Sequence, residues 1–273
     1  MSDKIKQLAE AIKRLSKTDY YYIKIDSETP AGIFNSKLGG IPYWTPDKNY
    51  PKNGDGKKLF LLAQINFDEE KVDSPLPQKG MLQFFINDDD VMGMNFDDQK
   101  KQDNFRIIYH ELIDYNLSKE IIEKLDISNS KDAQCYPVCE EYKLSLTKDI
   151  DYVNIEDFHF NKFFSLAYKE VFGKDLKEGD YFNKILNEEE MDILRKEIDT
   201  VKANHKMLGY SYFTQDDPRY DKKYADYNLL LLQIDSEGKY VMWGDGGIGN
   251  FFISEKSLIE KDFSNILYNW DCC

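Results

Sequence analysis

The chain has 273 residues, and its 36 basic and 50 acidic side chains give it a net charge of −14. A field of this sign repels nucleic-acid phosphates and anionic membrane surfaces, so it argues against both as partners. Aromatic residues make up 14% of the chain, which supplies a large core and favours strands. The expected partner is therefore an unknown protein or a small-molecule ligand.

The N-terminal segment has no pattern of an exported or membrane-inserted chain. In MSDKIKQLAEAIKRL, charged residues recur every few positions and no apolar signal-peptide region is present. The longest apolar run, Leu59–Ala63, is far shorter than the roughly 20 residues that span a bilayer. These features predict a cytoplasmic protein whose four cysteines are reduced.

The first part of the chain predicts one helix followed by strands. Apolar residues recur at helical spacing over residues 3–17. The β-prone runs that follow are Tyr20–Ile25, Leu59–Asn66, Gly80–Ile86 and Phe105–Tyr109. The second and third of these are almost continuously apolar, which is typical of strands buried on both faces. Glycines and prolines make residues 36–44 an ordered loop, and Ser118 begins a short helix as its N-cap.

The rest of the chain predicts a long helix and a second group of strands. The middle is irregular, with β-prone pieces at Tyr142–Leu146 and Tyr152–Ile155. An acidic first turn and helical spacing predict a helix over residues 188–205. The predicted strands after it are Tyr210–Phe213, Tyr227–Asp235, Lys239–Trp243 and Ile248–Ile253. We expect a hairpin turn at residues 236–238 and a final helix, capped by Ser254, that ends at Phe263.

Two stretches of the chain resemble each other. Residues 59–66 and 229–235 are apolar runs ending in Gln-Ile-Asn and Gln-Ile-Asp, and another apolar strand follows each. A buried amide is costly unless it is hydrogen-bonded, so Gln64 and Gln233 indicate a repeated β unit with equivalent cross-strand bonds. Chance likeness of apolar strands is the alternative.

These patterns together predict an α+β, β-rich fold. We expect a duplicated antiparallel β roll or sandwich-like body with a few flanking helices. It should form a single compact domain over residues 1–273, with an internal β repeat around 36–110 and 206–265. The middle, residues 111–205, is less regular.

Five short blocks in a fixed order resemble the YwqG-like bacterial family. They are LGGxPxW at 38–44, LAQIN at 62–66, LPxxGxLQFF at 76–85, LLLQID at 230–235 and MWGDxG at 242–247. The resemblance implies a β-rich, roll-like cytosolic body with flanking helices, of unknown function and without established catalytic residues. Some relatives are placed near bacterial contact-toxin loci, which implies an immunity or interaction role.

The most suggestive candidate site lies around two tryptophans. Trp44 and Trp243 each lie next to a turn rich in Gly or Pro, and Asp245 is close to the second. Aromatic rings beside a carboxylate form pockets for polar ligands or peptides. The structural alternative is that Trp44 closes one end of the β core and Asp245 caps a turn. With the two repeated glutamines, the candidate ligand-binding residues are Trp44, Gln64, Gln233, Trp243 and Asp245.

The glycines of residues 244–249 match the spacing G-x-G-x-x-G of dinucleotide sites. That fingerprint requires a helix after the glycines, whereas here a β-prone run follows. We therefore interpret this segment as a glycine-rich β-hairpin and predict no nucleotide cofactor.

The sequence contains no recognised motif for metal binding or for a catalytic nucleophile. The histidines, His110, His159 and His205, have no metal-ligand partner at a recognised spacing. Cys135 and Cys139 could form a thiolate site with Cys272 and Cys273, but two adjacent terminal thiols fit a tetrahedral metal poorly. We predict no catalytic residue, no metal and no cofactor. The preferred hypothesis is a non-catalytic binding or interaction protein, for which the family resemblance implies a toxin-immunity role; the alternative is a small-molecule-binding protein or enzyme with a pocket near Trp44, Trp243 and Asp245.

Overall fold

A computed structural model describes residues 2–198 and 204–273. The helices of these residues are α1 (Ser2–Ser16), α2 (Lys119–Glu123), α3 (Phe160–Phe172), α4 (Phe182–Ile185), α5 (Glu188–Ile198) and α6 (Glu255–Glu260). The strands are β1 (Thr18–Asp26), β2 (Lys37–Leu38), β3 (Phe60–Asn66), β4 (Met81–Ile86), β5 (Phe105–His110), β6 (Tyr142–Asp151), β7 (Lys206–Leu208), β8 (Leu229–Asp235), β9 (Ile248–Ile253) and β10 (Leu267–Asp271). The α+β, β-rich prediction is confirmed.

The strands form one antiparallel sheet in the order β10-β9-β8-β7-β1-β6-β2-β3-β4-β5. The order is symmetric about the long β1–β6 pair: β2 to β5 follow on one side, and β7 to β10 on the other. The two halves are β1 to β5 and β6 to β10. In each half, the first strand lies between the first strand and the short second strand of the other half. The same succession of pairings therefore occurs twice, as a repeated unit predicts, although duplication itself stays a prediction.

The two halves also share details of register. A bulge interrupts the β3–β4 pair after Leu61, and one interrupts the β8–β9 pair after Leu230. Gln64 lies opposite Gln83, and Gln233 lies opposite Asn250. A bulge adds a residue to one strand and increases local twist, so two bulges at matching places bend both halves alike.

The sheet curls around its own core. Phe84 of β4 contacts Phe251 of β9, with ring centroids 5.1 Å apart. Phe105 of β5 contacts Tyr268 of β10, also at 5.1 Å, so the two edge strands meet on the same side. Nearly all side chains of β3, β4 and β9 are buried on both faces, as their continuous apolar sequence predicts.

The outer side of the sheet is covered by helices and loops. The amphipathic face of α1 packs with α3 and α5 through Ile5, Leu8 and Ile12. Smaller apolar clusters cover the outer side of β3–β4 around Trp44 and of β8–β9 around Phe213. In the described residues, no helix is both long and apolar enough to cross a membrane.

Several predicted strands and helices are confirmed with small shifts at their ends. They are α1, β1, β3, β4, β5, β8 and β9, together with α2 and α6. Ser118 and Ser254 are N-caps, and each hydroxyl accepts a backbone N–H bond of the first turn, as predicted. The piece predicted at Tyr142–Leu146 is longer in the structure, because β6 pairs with β1 as far as Asp151.

The strand predicted at Tyr210–Phe213 is wrong. The strand at this place, β7, covers Lys206–Leu208 and ends at Leu208, which has a φ of 61°. Beyond it, side chains rather than a neighbouring strand bind the backbone: Gln233 accepts the N–H of Tyr212, and Asn250 donates to its carbonyl. These residues have β-prone side chains, but hydrogen bonds from side chains take the place of hydrogen bonds to a neighbouring strand.

The predicted strand Lys239–Trp243 and the hairpin predicted after it are also wrong, whereas a turn is present before it, because Glu237 and Val241 form an antiparallel bridge across residues 238–240. Val241 forms isolated bridges, and the backbone N–H of Met242 donates to Pro137. Strand β8 pairs directly with β9, so residues 236–247 form a loop that leaves the sheet and returns to it. Within that loop, Gly244 and Gly246 have φ values of 51° and 80°, which favour glycine.

The helix predicted over residues 188–205 is confirmed in its first part, whereas other elements were missed. Helix α5 covers Glu188–Ile198, residues 199–203 lie outside the described residues, and 204–205 are not helical. Helix α3, rich in phenylalanine, was not predicted, and neither were β2 and β10. The Tyr152–Ile155 piece forms no strand because it passes from β6 toward α3.

Candidate functional site

A cavity of about 370 Å³ opens beside Trp44. We call it the Trp44 cavity; the residues that line it are Trp44, Thr45, Pro46, Lys48, Asn49, Tyr50, Lys52, Lys58, Leu125, Asp126 and Ile127. They come from the long loop between β2 and β3 and from the segment after α2. The volume lies within the range of small-molecule sites, roughly 300–1,000 Å³.

The indole of Trp44 fixes the first turn of this loop. It is 2% exposed and packs edge-on against Phe85 of β4, 6.0 Å between ring centroids. Its Nε1–H donates to the carbonyl of Lys48 at 2.9 Å, and the Lys48 N–H donates to the carbonyl of Thr45 at 3.2 Å. The tryptophan therefore places Lys48 at the cavity wall and exposes little surface of its own.

A chain of side-chain hydrogen bonds runs from Lys48 into the sheet. Lys48 Nζ lies 3.0 Å from His110 Nδ1, and His110 Nε2 lies 2.9 Å from Gln83 Oε1. An ammonium can only donate, so Nδ1 accepts and Nε2 carries the proton that is donated to Gln83. Gln83 Nε2 then donates to Gln64 Oε1 at 3.2 Å, and Gln64 Nε2 donates to two carbonyls of residues 33–35.

His110 is a neutral positioning group in this chain. Burial and the neighbouring Lys48 lower its pKa to about 4. Because both ring nitrogens are engaged at neutral pH, the imidazole orients Lys48 and does not present a free base to the cavity.

The other two lysines of the cavity face each other across a short hairpin. Lys52 and Lys58 form an antiparallel bridge, and Leu59 N–H donates to the Pro51 carbonyl at 3.0 Å. The Asn53 side chain accepts two backbone N–H bonds and closes the turn between them. Like charges opposite one another on paired strands are destabilising, so this arrangement favours an anion between them.

One carboxylate balances part of this positive charge. Lys58 forms an ion pair with Asp126, and the hydrogen bond from Lys58 lowers the pKa of that carboxyl. The lining residues therefore comprise three ammonium groups and one carboxylate. In a chain of net charge −14, this is a local region of positive charge. Directed ammonium donors of this kind bind carboxylate or phosphate oxygens.

The structure separates the residues predicted to form one pocket. Trp243 is fully buried in the core inside the curled sheet, stacked on Trp270 at 6.0 Å, whereas Trp44 belongs to a cluster on the outer side. Asp245 is exposed. Neither Trp243 nor Asp245 lines the Trp44 cavity.

The two predicted glutamines are buried at equivalent places. Gln64 Oε1 accepts the Tyr43 N–H at 3.1 Å, and Gln233 Oε1 accepts the Tyr212 N–H at 2.8 Å. The opposite strand completes both patterns, because Gln83 and Asn250 donate to the carbonyls of the same tyrosines. Gln64 thus reaches the Trp44 cavity through the chain of hydrogen bonds, and Gln233 holds the corresponding loop of the other half. Direct ligand binding by either stays a prediction.

Sequence reasoning missed the charged residues of the cavity. A signal for part of them was present: Asn-Gly-Asp-Gly between Lys52 and Lys58 is a turn pattern that brings flanking residues together. His110 lies at the end of a strand far along the chain, and no motif connects it with Lys48. Within the described residues, no group of three His, Cys, Asp or Glu side chains could hold a metal ion, and all four cysteines are free.

The family of the chain follows from comparison with known proteins. A family model described as a domain of unknown function, DUF1963, matches residues 36–272. No curated protein matches the chain. The resemblance found from the sequence blocks is confirmed as membership of a family of unknown function, and the narrower YwqG-like name stays a prediction. The matched range covers the whole sheet except β1, so the chain belongs to the family of the domain of unknown function DUF1963.

Proposed function

We propose that the protein binds a small anionic molecule in the Trp44 cavity. The observation that carries the proposal is the meeting of Lys48, Lys52 and Lys58 at one cavity of ligand size. Two of the ammonium groups are held by side chains, Lys48 by His110 and Lys58 by Asp126, and the backbone of Lys52 is held by the hairpin. A preorganised set of donors loses less entropy on binding than three mobile lysines would.

Carboxylates and phosphates are the ligand groups that this set fits. Lys48 uses one of its three N–H donors in the hydrogen bond to His110, which leaves two donors for a ligand oxygen. Tyr50 lines the same cavity and adds aromatic surface. The positive charge of this cavity is local, and the net charge of −14 disfavours long anionic polymers such as nucleic acids.

The test uses pyrophosphate and citrate as probes in isothermal titration calorimetry at low ionic strength. We expect millimolar or tighter binding of at least one probe, weakened about tenfold by Lys48→Met or Lys52→Met, the loss of about one charge-assisted bond. Lys57→Met is the matched control, because Lys57 is an exposed residue of the same hairpin that does not line the cavity. Equal weakening by all three variants, or no binding of either probe, would refute the proposal.

A second candidate function is binding of a basic protein partner. The net charge of −14 supports it, because opposite charge accelerates and orients association. Binding should then weaken as salt rises. A more specific role in immunity against a toxin stays a prediction.

A further inference from the structure

We infer that a second site, formed by exposed tyrosines and carboxylates, receives a lysine or arginine side chain of a basic polypeptide. This inference rests on the second candidate function and gives it a location. The site is a cleft of about 410 Å³, here called the tyrosine cleft, lined by Ile155, Glu156, Asn161, Tyr181, Phe182, Asn183, Arg195, Gln215, Asp216, Asp217 and Tyr220. It lies between the segment after β6, helices α3 to α5 and the loop after β7.

Two aromatic rings of the cleft are exposed at the surface. Tyr181 is 43% exposed and Tyr220 is 48% exposed, which is unusual for large side chains of this protein. Exposed tyrosines at a concave surface are typical of protein interfaces, since the ring buries apolar area and loses little conformational entropy. Tyr220 is held in place from below, because its hydroxyl accepts a hydrogen bond from Asn161.

One of these rings already binds a cation of the chain itself. The Lys184 ammonium lies 5.1 Å from the centre of the Tyr181 ring and donates to the Gly179 carbonyl. A cation over an aromatic face is attracted by the negative electrostatic potential of that face. The geometry of the cleft is therefore compatible with an ammonium or guanidinium group over a tyrosine.

The charges of the cleft favour a cation. Glu156, Asp216 and Asp217 line it, against Arg195. Asp217 is buried and shares the Arg219 guanidinium with Asp157, and the accessible carboxylates of the cleft are those of the exposed Glu156 and Asp216. The field reaches Tyr220, where burial raises the pKa of the hydroxyl and neighbouring carboxylates raise it further.

A cluster of ion pairs makes the wall of the cleft rigid. Arg219 is fully buried and donates to Asp157 and Asp217 at 2.9 and 2.7 Å. Its guanidinium lies between the rings of Phe158 and Phe252, 4.3 and 4.1 Å from their centres. The loop that presents Asp216 and Tyr220 is therefore fixed before any partner arrives, which lowers the entropic cost of binding.

The test measures binding of a fluorescein-labelled peptide of alternating glycine and arginine by fluorescence anisotropy at low salt. We expect Tyr220→Leu and Asp216→Asn each to weaken binding about two- to fivefold, the range of an exposed cation–π contact or ion pair. Both residues are exposed, so neither change should unfold the protein. Glu28→Gln, a change of the same charge at an exposed position outside the cleft, should leave the affinity unchanged.

The outcomes of this test distinguish failure of the tyrosine cleft from failure of the basic-partner function. If Glu28→Gln weakens binding as much as Asp216→Asn, and Tyr220→Leu has no effect, the peptide senses only the overall charge and the tyrosine cleft is not its site. If the wild-type protein does not bind the peptide at all, both the cleft and the basic-partner function are overturned. Neither outcome bears on the Trp44 cavity, whose probes are anions.

Discussion

The pH at which His110 takes up a proton is the sharpest test of the cavity structure. Its ring accepts a bond from the Lys48 ammonium 3.0 Å away, which requires a neutral imidazole. Protonation would remove that acceptor and set two positive charges side by side in a buried place. We therefore expect His110 to stay neutral down to a pH of about 4, the value that burial and Lys48 give its pKa.

The effect on stability follows from the same shift. An unfolded histidine titrates near 6.5, so the unfolded state binds a proton between pH 6.5 and 4 while folded His110 does not. The contribution is fully present above pH 6.5 and is lost as the pH falls toward 4. At about 1.4 kcal/mol for each pH unit, the total loss is about 3 kcal/mol, which is a large part of a typical free energy of unfolding.

The assay is a proton–carbon NMR titration of the histidine Hε1 signals. The chain has three histidines, so three signals are expected, and single His→Gln variants assign them. In Lys48→Met the His110 midpoint should rise, because a neighbouring positive charge is gone, yet remain below 6.5, because burial is the larger cause. A His110 midpoint near 6.5 in the wild-type protein would refute the hydrogen-bond chain and the position of Lys48. Urea unfolding of the wild type and His110→Gln at several pH values checks the stability loss independently.

Three further changes test the fold, each by chemical denaturation. Gly249→Ala should destabilise the protein by several kcal/mol, since the new Cβ would lie 2.3 Å from Trp243 Cζ2; a loss below about 1 kcal/mol would contradict this packing. Gln233→Leu should cost about 1–3 kcal/mol, because it removes the hydrogen bond that Gln233 Oε1 accepts from the partly buried Tyr212 N–H. Ser254→Ala should cost about 1 kcal/mol through loss of the N-cap of α6, and no change would refute that cap.

Strand prediction succeeded where the apolar pattern of the sequence reflects burial of a strand on both faces. Strands β3, β4, β8 and β9 are buried on both faces, and a short continuous apolar run has few other stable placements. The matching positions of Gln64 and Gln233 were also informative, because a polar side chain within such a run must find partners. The structure supplies those partners at equivalent places in the two halves.

The failures have a different cause, which is long-range contact. Residues 210–213 have β-prone side chains, but their hydrogen bonds go to side chains of strands some 20 or more positions along the chain. The cavity depends on contacts of the same kind: Lys48 meets His110, and Lys58 meets Asp126. A single sequence contains no periodic signal for such contacts, so the predicted pocket was built from Trp44, Trp243 and Asp245, whereas lysines line the cavity of the structure.

The two halves of the sheet explain why the lysine-lined cavity occurs on one side only. Each half uses two side chains to hold the backbone of a tyrosine, Tyr43 or Tyr212, and the loop that follows is free to vary. Lys48 and Asp217 lie at the same distance along the chain after these tyrosines, with opposite charge. In the second half, the loop carries its own counter-ion, since Arg219 is buried against Asp217, a residue that also lines the tyrosine cleft. In the first half, no buried acid of the loop neutralises Lys48 among the described residues; neutral His110 holds it, so its charge is available to a ligand.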